Sequence, residues 1–143
     1  MRSLFGAVQL CWAMALSAHV LLEAGPIQEV RDLLASAEKA QAATHDRSME
    51  AEFLRMCGRL AELDGDPDAA ANKYRDAMAI AERQGAKLFS LRTALDLARL
   101  HRCNGRTSDT VAVLKPIHDS FTGGSDCPEM AEAKTLLGEA VRV

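Results

Sequence analysis

Residues Asp46 to Leu100 read DRSMEAEFLRMCGRLAELDGDPDAAANKYRDAMAIAERQGAKLFSLRTALDLARL. Apolar residues recur there at helical spacing, first up to the Gly/Asp/Pro break around Gly65, then up to Gly85, then again through Leu100. The stretch is a helix, a turn, a second helix, a turn and the start of a third. None of its residues is grouped for catalysis, so the regularity points to architecture before chemistry.

Working outward, three glycines close three apolar helical segments: LLEAG at Gly25, AELDG at Gly65 and HRCNG at Gly105. Successive members are 40 residues apart. A helix-ending residue at equal intervals, followed each time by a new helical pattern, is the mark of stacked helical hairpins. Scarce aromatics, at 4%, and an Ala- and Leu-rich apolar share suit closely packed helices rather than strands. The chain reads as all-α.

Aligned on these glycines, the units resemble tetratricopeptide repeats. In the second unit Leu54, Cys57, Gly58 and Ala61 fall at the expected positions of the first helix, and Ala70, Tyr74 and Ala77 at the small, aromatic and small positions of the second. The first unit supplies Met14, Ala18, Leu21, Val30, Leu34 and Ala37; the third supplies Ala94, Leu97, Ala98, Thr110, Leu114 and Ile117. Ser17, His101 and Thr110 depart from the pattern. Small residues let the helices of a hairpin touch while large ones fill the gap to the next. The resemblance implies a right-handed solenoid of three hairpins, at about 7–43, 46–85 and 86–121, with a capping helix at 127–141, in one domain spanning 1–143. The common repeat has about 34 residues, so each unit has about six extra, expected where one hairpin meets the next, near Ala43–Met49 and Gly85–Ser90, as longer helices or as longer joints.

Local signals agree with this reading. Asp66 is placed to cap the helix that Pro67 opens, with Asp68 in its first turn. Gly85 suits a left-handed helix end. After the glycine break FTGGSD, Asp126 and Glu129 have capping-box spacing around Pro128, and Met130, Ala133, Leu136, Leu137 and Val141 recur at helical spacing.

From Tyr74 onward the chain resembles a narrower group, the carboxy-terminal tetratricopeptide-like region of large bacterial ATPases, many of them called adenylate or guanylate cyclases or transcriptional activators. AxxxAxxQGAKxxxLRxAxxLARL, the NGR turn, LKPIHDSFTGGSD and the terminal AEAKTLL carry the likeness. It implies a cytoplasmic bacterial signalling setting and a possible ATPase or cyclase partner, but transfers no activity. No GxxxxGK[ST] loop is present, and no paired metal-binding aspartates on strands.

Composition narrows the function classes further. A net charge of -3 does not favour nucleic acid. The charge is uneven, because from Arg83 to Lys115 seven bases face only Asp96 and Asp109. The cysteines Cys11, Cys57, Cys103 and Cys127 are never in a Cys-x-x-Cys pair and read as small apolar residues, not as a metal site or disulfide framework. Residues 1–18 imitate a secretory signal. The continuing apolar pattern through Leu22 favours a helix of the repeat instead, and the run is too mixed for a membrane span. His19, His45, His101 and His118 are scattered, with no pair at i, i+4.

The expected function is therefore a non-catalytic protein–protein interaction module with no cofactor and no metal, cytoplasmic, binding a protein or peptide segment or a second copy of itself. The candidate contact residues on the first helix of each unit are Glu52, Arg55, Arg59, Arg92, Asp96, Arg99 and Arg102, expected to be exposed. Arg92, Arg99 and Arg102 share one helical face where an acidic peptide could dock. The alternative is a regulatory carboxy-terminal fragment of an ATPase or cyclase that lacks its catalytic domains.

Overall fold

The computed structural model describes residues 4–121 and 126–142, with side chains from Trp12 onward. Cys11 and the glycine break at 122–125 lie outside the described side chains. Seven helices make up the described fold, α1 Leu4–Ala24, α2 Ile27–Thr44, α3 Glu50–Leu63, α4 Pro67–Arg83, α5 Lys87–Cys103, α6 Thr107–Ser120 and α7 Pro128–Val141, with no strand among the described residues. The all-α class is thus as the composition indicated. The chain divides into two compact units, residues 1–80 and 81–143, within α4.

In the first unit α1 and α2 pack together, and α3 packs on both. The buried face of α2 is Val30, Leu34 and Ala37, spaced by four and three. Such spacing keeps side chains on one stripe of a helix. α4 is joined to α3 by three residues, and its Ala70, Tyr74 and Ala77 are fully buried. Between α3 and α4, Gly58 lies directly against the Tyr74 ring, and the Tyr74 hydroxyl donates to Glu62 Oε2 at 2.7 Å. The absence of a side chain at Gly58 is what lets the ring approach its helix so closely.

The second unit repeats the order. α6 packs on α5, and α7 packs on both. Thr110 and Leu114 on α6, and Met130, Ala133 and Leu136 on α7, are buried. Thr110 departs from a small residue, and its hydroxyl is accommodated by donating to the Ala98 carbonyl of α5 at 3.3 Å or to Arg106 at 3.2 Å. Val141, expected on the buried face of α7, is 81% exposed because it falls at the last residue of the helix.

The helix ends explain the repeat length. Gly65, Gly85 and Gly105 all have positive φ, at 79°, 67° and 71°. Each closes its helix with the same pair of bonds: Asp66, Ala86 and Arg106 donate to the carbonyls of Ala61, Ala81 and His101 at 2.9, 2.9 and 2.8 Å, while the glycine amides donate to Glu62, Glu82 and Arg102. This double closure satisfies carbonyls that a helix end would otherwise leave bare. These turns are 20 residues apart, and His45, 20 residues before Gly65, ends α2 with φ 55°. The unit of 40 is therefore two helix-plus-turn halves, one of them ended by a residue that is not glycine. An L side chain in that conformation costs roughly 1 kcal/mol. His45→Gly is expected to stabilise the chain by up to about that amount, partly offset by glycine's unfolded-state entropy, and urea unfolding checks it.

Gly25 follows the end of α1 as its spacing indicated, without positive φ; Pro26, which disfavours α geometry in the residue before it, ends the helix there. Of the two ways to hold the extra residues of the third unit, helix length is the one used, because α5 starts at Lys87. Two expectations need correction. Asp126 and Glu129 form no capping box, since α7 begins after Cys127, which makes no side-chain cap bond. On α3, Leu54, Cys57 and Ala61 are only half-buried, whereas Ala51, Glu52, Phe53, Arg55 and Met56 are buried. That helix packs on more than one neighbour, so the apolar stripe alone does not define its buried side. At the start of α4 the expected cap is present: Asp66 Oδ1 accepts from the Ala69 amide at 3.0 Å.

Candidate functional site

α5 is buried nearly all round, from Ser90 through His101, and leaves its arginines as the accessible strip. Positions 92, 99 and 102 fall on one face, as a helix of 3.6 residues per turn requires. Their side chains are 37%, 45% and 58% exposed. That face is not vacant. Arg92 Nε donates to Glu129 Oε1 at 3.0 Å, Arg99 Nε to Glu132 Oε1 at 2.6 Å, and Arg102 pairs with Glu139 at 2.8 Å. All three carboxylates belong to α7. The pairs advance in the same sense along both helices, so α5 and α7 run parallel, with α6 returning between them. The acidic segment that the arginine face can receive is, in this structure, the chain's own last helix.

The other candidates separate by burial. Glu52 and Arg55, expected to be exposed, are 4% and 5% exposed. They form a two-pronged ion pair, Arg55 Nε to Glu52 Oε1 at 3.2 Å and Nη2 to Oε2 at 3.0 Å. Asp96 is also buried, at 5%, and accepts from the exposed Arg99, so that pair is not the surface contact its spacing indicated. Polar residues can occupy a helix's buried side when their charges are satisfied there. Arg59 is half-buried and donates to Glu23 of α1 at 2.7 Å. Arg59 thus joins α1 to α3 and the arginine row joins α5 to α7, whereas the Glu52–Arg55 and Asp96–Arg99 pairs each lie within one helix.

The acid side of the α7 contact is tuned. The Glu129 carboxyl is held below its ordinary range, first by a bond from its own backbone amide at the start of α7 and then, against partial desolvation, by Arg92. A carboxyl whose folded value is depressed adds stability above its unfolded value, and that stability is lost as the pH falls through the folded value. Glu129→Gln is therefore expected to lower stability at neutral pH, with the difference from the parent shrinking as the pH falls through and below the ordinary glutamate range, where the parent loses the same contribution. Chemical denaturation of both proteins across that range measures it.

Chemistry-bearing side chains are dispersed. Among the described residues no group of three or more His, Cys, Asp or Glu side chains is gathered to hold a metal ion. Cys57, Cys103 and Cys127 are free thiols. Burial pushes the Cys57 thiol up, with Lys73 opposing and Glu38 adding to the shift, which keeps it protonated and unreactive. His101 is buried while Cys103 is exposed. No described helix is long and apolar enough to cross a membrane.

Comparison with protein-family models, with curated proteins and with solved structures finds no match. The surface is therefore interpreted from its own geometry. One feature absent from the candidate residues is an exposed apolar row on α1, formed by Trp12, Leu16 and Val20. Its signal was present as an i, i+4, i+8 spacing within the apolar run of residues 1–22.

Proposed function

We propose that this chain is a non-catalytic protein–protein interaction scaffold, built as a tetratricopeptide-like right-handed stack of helical hairpins with α7 as its cap. The observation that carries this reading is the packing order common to both units, in which a helical hairpin receives the following helix against both of its members. The small-on-aromatic contact of Gly58 with Tyr74 supports it, as does the double closure of successive helix ends. The likeness of the sequence from Tyr74 onward adds a cytoplasmic signalling setting, with an ATPase or cyclase as the class of partner.

The α5–α7 contact supplies the chemistry of recognition. Arginines in a row meet carboxylates from a helix lying alongside, and guanidinium–carboxylate pairs are directional and salt-sensitive. Acidic helical segments are accordingly the peptide class that this scaffold accepts on the arginine face of α5, in competition with α7. Selection of displayed peptides on the intact chain tests this. Binders rich in Asp and Glu are expected, weakened about tenfold by Arg102→Ala or by added salt. Binders without acidic character, or binders indifferent to both changes, would contradict the reading.

A further inference from the structure

α7 rests on α5 and α6 through one narrow stripe. Of its 14 residues only Met130, Ala133 and Leu136 are buried, whereas α5 buries ten of 17. A helix of that length is marginal in water by itself, so docking is what keeps it folded. Beside the stripe, Glu129, Glu132 and Glu139 meet Arg92, Arg99 and Arg102. The outer acids and the outer arginines are each ten residues apart, about 15 Å along either helix, so the two rows match at both ends. The Glu132 and Glu139 side chains are nevertheless 38% and 44% exposed. Ion pairs so open to water contribute little and are screened by salt. α7 therefore carries the chemistry that recognises the arginine face on a helix that is held lightly.

We propose that α7 is an intramolecular stand-in for the segment that this face binds: it masks the arginines, and its own residue pattern is the pattern of the partner. The proposal rests on the scaffold reading and deepens it by specifying the partner and its regulation. That partner is a helix lying parallel to α5, with acids where α7 has Glu129, Glu132 and Glu139, apolar residues where it has Met130 and Leu136, and a small residue where it has Ala133. The small position discriminates most, because Ala133 is 0% exposed and a longer side chain there would lift the helix off its bed. Acids alone do not suffice. Displacing α7 uncovers the apolar surface under Met130 and Leu136, and a competitor has to cover it again. Seven residues lie between α6 and α7. A tether that short keeps α7 at an effective concentration in the millimolar range. A free segment of the same pattern competes at that disadvantage, so the face admits it readily only when the pairs that hold α7 are weakened.

A labelled synthetic peptide of residues 126–143, titrated with the full chain and read by fluorescence anisotropy, tests the proposal. A full chain carrying Glu132→Lys and Glu139→Lys, whose α7 is repelled by Arg99 and Arg102, should bind this peptide about tenfold or more tightly than the parent chain does. Peptides with Ala133→Gln, or with the three pairing glutamates changed to glutamine, should lose about tenfold or more in affinity for that variant. Far-UV circular dichroism confirms that the variant folds. Hydrogen exchange of the parent chain gives a second measurement that needs no substitution: α7 should exchange about tenfold or more faster than α5, and faster again on adding salt. Equal peptide binding by parent and variant, a folded variant that does not bind, a peptide indifferent to Ala133→Gln, or an α7 that exchanges as slowly as α5 at every salt concentration would overturn the proposal. Selected binders that are acidic but lack the apolar and small positions would leave the scaffold reading and remove this one. The scaffold reading itself fails differently, on binders without acidic character.

Discussion

Gly58→Val is expected to destabilise the chain by about 3 kcal/mol or more. A Cβ at position 58 would sit 2.5 Å from Tyr74 Cε1 and 2.7 Å from Cδ1, inside any distance that real side chains tolerate. The ring has nowhere to go: Tyr74 is fully buried, and its hydroxyl is held by Glu62 at 2.7 Å. Gly58→Ala meets the same clash with a smaller group, and alanine's better helix propensity returns about 1 kcal/mol, so its net cost is about 1 to 2 kcal/mol. The partner variant isolates the cause. In a Tyr74→Leu background, itself costly through the cavity it leaves, Gly58→Ala should become neutral or mildly stabilising. Urea unfolding of the four proteins gives the coupling directly. An equal cost for Gly58→Ala in both backgrounds would mean that the ring is not what position 58 meets.

Arg55→Ala is expected to cost about 3 to 5 kcal/mol, far above the usual value of a surface ion pair. The loss comes less from the attraction removed than from the Glu52 carboxylate left behind, 4% exposed and without its guanidinium. Replacing both residues, as Glu52→Leu with Arg55→Met, removes the stranded charge and should cost much less than the single change. Thermal or urea unfolding separates the cases. A cost below about 1 kcal/mol for Arg55→Ala would place the pair in solvent, where its sequence spacing alone would put it.

The contrast between these positions shows what was legible before the structure and what was not. Helix ends were readable wherever backbone chemistry dictates them: Gly65, Gly85 and Gly105 supply positive φ, and Asp66 and Pro67 open α4. His45 escaped notice because nothing in its side chain marks a left-handed residue, although it ends α2 as the glycines end other helices. The shared face of Arg92, Arg99 and Arg102 follows from helical periodicity and was legible. Its occupant was not, because Glu129, Glu132 and Glu139 reach it only through the fold. Glu52, Arg55 and Asp96 were misplaced on the surface for a physical reason. An acid and a base three residues apart look the same in sequence whether water or protein surrounds them, and charged residues are buried only when paired. The row on α1 was hidden inside an apolar run, where the exposed side of a helix cannot be told from its packed side by composition.

The central claim, that one hairpin-plus-helix arrangement is used twice, is tested most directly by an experimental crystal structure of the full chain. The account predicts that α1, α2 and α3 superpose on α5, α6 and α7 with the same order, the same direction and matched crossing angles, Glu23–Arg59 taking the place of the α5–α7 ion pairs. A structure with strands, or with the seven helices gathered into one closed bundle in which these triplets do not superpose, would contradict it.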